Sequence, residues 1–189
     1  MKIKALVLCL LLASSQVFPQ SDSTGLFLNS KDFARRHLTY ATSCEDQKHP
    51  IKLGSLFNQT VVMVNYKEEK LRLNKSELYG FKDCSRRIFR FYKDSEYRII
   101  STISIYLYFR EEESGTGKNT EITDLFFFSV TMDSDLVPLT KENLRVAYGT
   151  NDKFLDAVEN SFKDDIDLST YDKTHKRYRL VRLYEESLK

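Results

Sequence analysis

Three cysteines, three histidines and a scatter of carboxylates are the groups of this chain that could do chemistry, and their spacing decides which of them can. His37, His49 and His175 stand far apart in no metal-ligand pattern, and Cys44 and Cys84 lack the close pairing of a zinc site. A cysteine nucleophile needs a general base beside it and a depressed pKa. Cys84 lies between Asp83 and Ser85, an acidic neighbourhood that works against the thiolate, and Arg86 and Arg87 offset it only in part. Asp172 and His175 are three apart and on a helix could meet as an acid–base pair, although such pairs are mostly ordinary surface contacts. Ser114–Thr120 (SGTGKNT) carries the letters of a phosphate loop at the wrong spacing. Its first glycine would fall at Glu112, and Asn119 stands where Ser or Thr must follow Lys118. Neither G-x-S-x-G nor H-E-x-x-H occurs. The carboxylates of Glu111–Glu113 and of Asp164, Asp165 and Asp167 read as solvated faces, and a glycosidase pair is defined by separation in space rather than in sequence. No catalytic residue, metal or cofactor is indicated.

Aromatic side chains are the richer resource, with 11 Tyr, 13 Phe and no Trp. Tyr79, Phe81, Tyr92, Tyr106 and Tyr108 could line a ligand site or an interaction surface, because a tyrosine offers an apolar body and a polar tip. The plainer alternative is that they cover a sheet. Missing Trp disfavours a sugar-stacking platform. Asn58-Gln59-Thr60 and Asn74-Lys75-Ser76 spell N-glycosylation sequons, which matter only on a eukaryotic secretory path.

The elements that must position these groups are organised around Glu77–Tyr92. Two aromatic runs, Leu78–Phe81 and Ile88–Tyr92, flank the polar Lys82–Arg87, and Phe89 and Phe91 alternate with Arg90, so the stretch reads as a β-hairpin. Before it, Gly25–Leu28 is a short strand or turn, Lys31–His37 a brief helix capped by Asn29 or Ser30, and Thr39–His49 a polar stretch. Ile51–Leu53, Thr60–Tyr66 and Leu71–Leu73 read as strands, the middle one apolar on both faces and therefore central. Tyr97–Ile100, Ile103–Phe109 and Ile122–Met132 follow as strands, with Arg110–Glu121 an exposed loop between the last two. Helices are expected over Lys141–Tyr148, Lys153–Phe162 and Thr170–Leu188, although Tyr178–Leu180 also permits a strand.

The start of the chain has the layout of a secretory leader. Lys2 and Lys4 precede an apolar run, Ala5–Ala13, that is well short of the ~20 residues needed to span a bilayer. Residues 1–15 are read as a signal peptide with cleavage between 15 and 20, residues 16–25 as a flexible connector, and residues 26–189 as one domain. Loss of Lys2 and Lys4 from 29 basic residues leaves 27 against 27 acidic ones. Without a positive field, nucleic acid and anionic membranes are disfavoured partners, and no later segment is long and apolar enough to span a membrane. In an oxidising compartment the two remaining cysteines suggest a Cys44–Cys84 disulfide, whose loop of about 40 residues would contribute roughly 4 kcal/mol through lost chain entropy.

Several short motifs together resemble a family of small exported proteins of Gram-negative bacteria. They are Gly25, Leu28 and Asp32-Phe33; Gly80-Phe81-Lys82-Asp83-Cys84; Arg90-Phe91-Tyr92; and Tyr171-Asp172 with His175-Lys176 and Tyr178. The resemblance implies export to the bacterial envelope and brings no activity with it. Taken together, the sequence predicts an α+β domain, with a curved, mostly antiparallel sheet of about seven or eight strands and C-terminal helices. Its leading function is that of an exported, periplasmic or secreted, non-enzymatic binding or interaction module with an envelope or extracellular partner. A carrier of a small apolar ligand and a hydrolase are the alternatives.

Overall fold

Period-two alternation through the middle of the chain becomes an antiparallel sheet of eight strands in the computed structural model, which describes residues 22–45, 51–54, 59–115 and 120–189. The expected leader, most of the connector, His49, Asn58 and positions 116–119 lie outside the described residues. The sheet comprises β1 (Ser23–Phe27), β2 (Thr39–Ser43), β6 (Gly80–Lys82), β7 (Ile88–Tyr92), β8 (Ser95–Ser101), β9 (Tyr106–Ser114), β10 (Glu121–Ser129) and β11 (Val137–Pro138), in the order β11-β10-β9-β8-β7-β6-β1-β2. It is open rather than curled. A separate three-stranded sheet holds β3 (Ile51–Leu53), β4 (Val61–Tyr66) and β5 (Glu69–Asn74), with the doubly apolar β4 at its centre. The helices are α1 (Ser30–Ala34), α2 (Lys141–Ala147), α3 (Asp152–Ser161) and α4 (Arg179–Ser187). The α+β class and the C-terminal helices are as the sequence predicts.

Register assigns the faces. Gly25 pairs with Lys82 and Lys82 with Ile88, so Ser23, Phe27, Lys82, Ile88 and Arg90 share one face while Leu26, Phe81, Phe89 and Phe91 share the other. Against that second face packs the small sheet, Val62 and Val64 meeting Leu26, Phe81 and Phe91 in one core. Further along, Leu107 and Phe128 continue the same face under the helices, where Leu144, Phe154, Val158, Phe162 and Leu180 form a second core. Each such fully buried side chain contributes about 2 kcal/mol by leaving water. The first face is covered by α1, whose Phe33 stacks on Tyr79 and meets Phe27 edge-on, and by the segment after β10, whose Leu136 packs on Tyr97 and Tyr108. Gly80 is required where β6 meets β7, because a side-chain carbon there would fall on the Phe89 carbonyl.

Four local expectations need correction. β1 begins at Ser23, inside the stretch read as connector, and Thr24 and Gly25 are buried. β9 starts only at Tyr106, since Ser104 turns the chain with φ 61° and leaves Ile103 in solvent. The strand then runs on through the charged Arg110–Ser114, read from sequence as loop. A continuous ladder with β10, from Tyr106–Ser129 to Ser114–Glu121, satisfies the backbone while both faces of the outer ribbon stay wet. Thr170–Tyr178 is no helix: β12 (Tyr171–Asp172) and β13 (Arg177–Tyr178) form a hairpin before α4. There the Asp172 carboxylate accepts the backbone N–H groups of Thr174 and His175, a local bond that competes with helix formation.

Candidate binding cleft

Helix α1 is short and sharply bounded. Asn29 caps it by accepting the Asp32 N–H at 2.9 Å. At the other end His37 N–H reaches the Asp32 carbonyl and Arg36 N–H that of Phe33, a Schellman ending in which Arg36 takes the left-handed position at φ 57°. Glycine is the usual occupant, since a side chain there crowds the following carbonyl. The guanidinium of Arg36 lies 5.8 Å from the centre of the Phe33 ring.

A second strained arginine faces the same region. In the β6–β7 turn, Asp83 and Arg87 bond through backbone and side chains, and Arg86 stands at φ 63°. Its guanidinium grips Asp22 with two bonds, Nε to Oδ1 at 2.8 Å and Nη2 to Oδ2 at 3.1 Å. That bond, reinforced by Arg86's charge and then by Lys82's, holds the Asp22 carboxyl below the usual carboxylate range. The Cys44–Cys84 disulfide ties the end of β2 to this turn with its Cα atoms 5.5 Å apart, and Cys44 N–H donates to the Asp22 carbonyl at 2.8 Å. The start of β1, the end of β2 and the β6–β7 turn are thus stapled together.

Between these segments and the α1–β2 connection lies a cleft of about 730 Å³. Phe27, Leu38 and Ile88 make its apolar part; Arg36, Lys82 and Arg86 bring three cations, and Asp22 is the only acid lining it among the described residues. Arg86 and Asp22 satisfy one another, whereas Arg36 and Lys82 form no ion pair among the described residues. Charged donors over an apolar floor can hold an anionic group by charge-assisted hydrogen bonds while burying a hydrocarbon body.

Of the five aromatics that could line a ligand site or an interaction surface, three are buried in the sheet's own cores. Tyr79, Phe81 and Tyr108 are 8, 5 and 0% exposed, and Tyr92 and Tyr106 are half-buried. Phe81 stacks on Phe89 and Phe91, on the face opposite the cleft. Tyr79, Tyr92 and Tyr108 instead surround the buried Arg90, whose guanidinium carbon lies 5.4–5.7 Å from the three ring centres. Arg90 donates to the Tyr108 hydroxyl at 3.1 Å and to the Ser134 carbonyl at 3.0 Å, and the Tyr79 hydroxyl donates to the Met132 carbonyl. Burial pushes the Tyr79 hydroxyl well above its ordinary pKa, so it remains a donor. The cage therefore latches the segment after β10 onto the sheet, and its rings are interior because the alternation that suggested a surface is the alternation of a covered face. Tyr106 packs beside Tyr108 in the same core.

Asp172 and His175 do meet, Oδ2 to Nδ1 at 2.6 Å, but across an exposed hairpin turn. The bonds from the backbone and ring of His175 lower the Asp172 pKa. Ser104 Oγ nearby donates to Glu185, which also pairs with Arg177. These contacts tie the hairpin to α4. Neither metal-holding groups of His, Cys, Asp and Glu nor a helix long and apolar enough to cross a membrane occurs among the described residues.

Arg36, Lys82 and Arg86 were not legible as a set. Arg36 ends α1 and Arg86 stands in the β6–β7 turn, both at positive φ where glycine would serve the backbone better, while Lys82 ends β6. No protein-family model matches this chain, and neither does any curated protein or solved structure.

Proposed function

We propose that the chain is an exported protein of the bacterial envelope that works by binding, and that it takes an anionic ligand in the Arg36–Lys82–Arg86 cleft. The observation that carries this reading is the pair of cations, Arg36 and Lys82, that form no ion pair among the described residues and stand beside an apolar floor in a cleft of ligand size. Export is supported by the leader-like start, by the disulfide and by the family resemblance. An open sheet does not favour an apolar carrier enclosed by strands. The acid–base pair nearest to an enzyme's, Asp172–His175, is spent on a surface turn.

Calorimetric titration of the mature protein with sodium decanoate and with inorganic phosphate tests the reading. At least one anion binds, decyltrimethylammonium does not, and the Arg36→Glu/Lys82→Glu variant loses affinity by at least about tenfold, as two reversed charges at close range require. Equal affinity in that variant, or no anion binding at all, refutes it.

A further inference from the structure

Resting on that reading, we infer that Asp22 is a built-in occupant of the cleft, a tethered carboxylate that the ligand displaces from Arg86, and that the ligand is a carboxylate carrying an apolar body. Arg86 already displays the group it is shaped for. Both of its bonds to Asp22 run side by side onto the two oxygens of one carboxylate, the planar fork match that a point-charge donor cannot reproduce. Both partners are solvent-exposed, and exposed ion pairs hold weakly, so the bond exchanges with solvent and with competing carboxylates.

The backbone around it is built for such an exchange. Asp22 is fixed at its carbonyl by the Cys44 N–H and at the next residues by β1, so its side chain can swing out while the strand stays in place. Arg86 is held at its backbone by its turn and by the neighbouring disulfide, at the rim of the same cleft. A ligand carboxylate taking the place of Asp22 lays its hydrocarbon along Leu38 and Ile88, the half-buried side chains that lie over the buried Phe27. Its charge also answers Lys82, whose field already bears on Asp22. Inorganic phosphate satisfies the cations and leaves the apolar floor uncovered, so the two-part character of the lining favours the amphiphile.

Affinity for sodium decanoate is measured by calorimetry for wild type, Asp22→Asn and Asp22→Ala, with thermal melts to verify folding. Removing the competitor raises affinity by roughly two- to fivefold in both variants, the scale of one exposed ion pair, while Asp22→Glu stays near wild type. Decanoate binding that is unchanged or weaker in both neutral variants overturns the displacement mechanism and leaves the cleft as an anion site. Phosphate binding as tightly as decanoate overturns the assignment of an apolar body. Binding of neither anion to any variant overturns the cleft reading itself.

Discussion

Replacing Arg36 by glycine and, separately, by alanine probes whether the cleft's arginines are held at a cost to the backbone. Arg36 sits at φ 57° at the end of α1, where a residue with a Cβ costs about 1 kcal/mol relative to glycine. Glycine removes that cost but enlarges the unfolded ensemble by about 0.4–1 kcal/mol. Both substitutions forfeit the exposed stack on Phe33, worth about 0.5 kcal/mol. Glycine should therefore leave stability within about 0.5 kcal/mol of wild type, and alanine should fall below glycine by up to about 0.6 kcal/mol. Inside a helix the order is the reverse, alanine exceeding glycine by about 1 kcal/mol. Urea unfolding midpoints decide between them, and decanoate titration of the same samples should show both variants weakened alike. Alanine more stable than glycine would show that residue 36 is not left-handed. Undiminished binding in both variants would show that strain at this position serves no ligand.

Four further outcomes follow. Cys44→Ser or Cys84→Ser should lower stability by roughly 4 kcal/mol, and the unfolded, unreduced mature wild type should yield no free thiol in a thiol titration. Gly80→Ala should cost at least about 1–3 kcal/mol in the same unfolding assay, because the Phe89 carbonyl that the new carbon meets belongs to a packed strand and cannot withdraw. The buried Tyr148 hydroxyl has no hydrogen-bond partner among the described residues, so Tyr148→Phe should match wild type or exceed it by about 1 kcal/mol; a loss of that size would expose a partner. For Asp172 the folded pKa lies below 3.8, so its contribution is complete above that value and disappears as pH falls through the lower, folded one. Unfolding midpoints of Asp172→Asn should accordingly lie below wild type at neutral pH and converge on it in acid.

What the sequence revealed and what it hid follow from the range of the forces involved. Period-two runs such as Ile88–Tyr92 and the stripe of Phe154, Val158 and Phe162 declare themselves, because one buried face dictates their spacing. The outer part of β9 does not, since Glu111–Ser114 are held by ladder bonds that any residue can make. The hairpin at Tyr171–Tyr178 was hidden because a single carboxylate, Asp172, outweighs a helical pattern. The disulfide was legible from compartment and count. The cleft was not, because Asp22, Arg36 and Arg86 converge only when β1 lies between β2 and β6. The tyrosines left two readings open for a related reason: a covered face and an exposed one alternate alike, and only the segment bearing Met132, Ser134 and Leu136 tells them apart.

The ribbon formed by the outer ends of β9 and β10 has consequences for handling the protein. Its rungs from Glu111–Asp124 to Ser114–Glu121 are solvent-exposed, and Glu111 faces Asp124 across the ladder, so like charges oppose each other where no layer compensates. Amide hydrogens there should exchange with deuterium long before those of the inner rungs at Leu107 and Phe128. Trimming those rungs, or grafting an epitope onto them, should leave both cores and the cleft as they are, which makes the ribbon a natural handle for labelling or immobilising the protein.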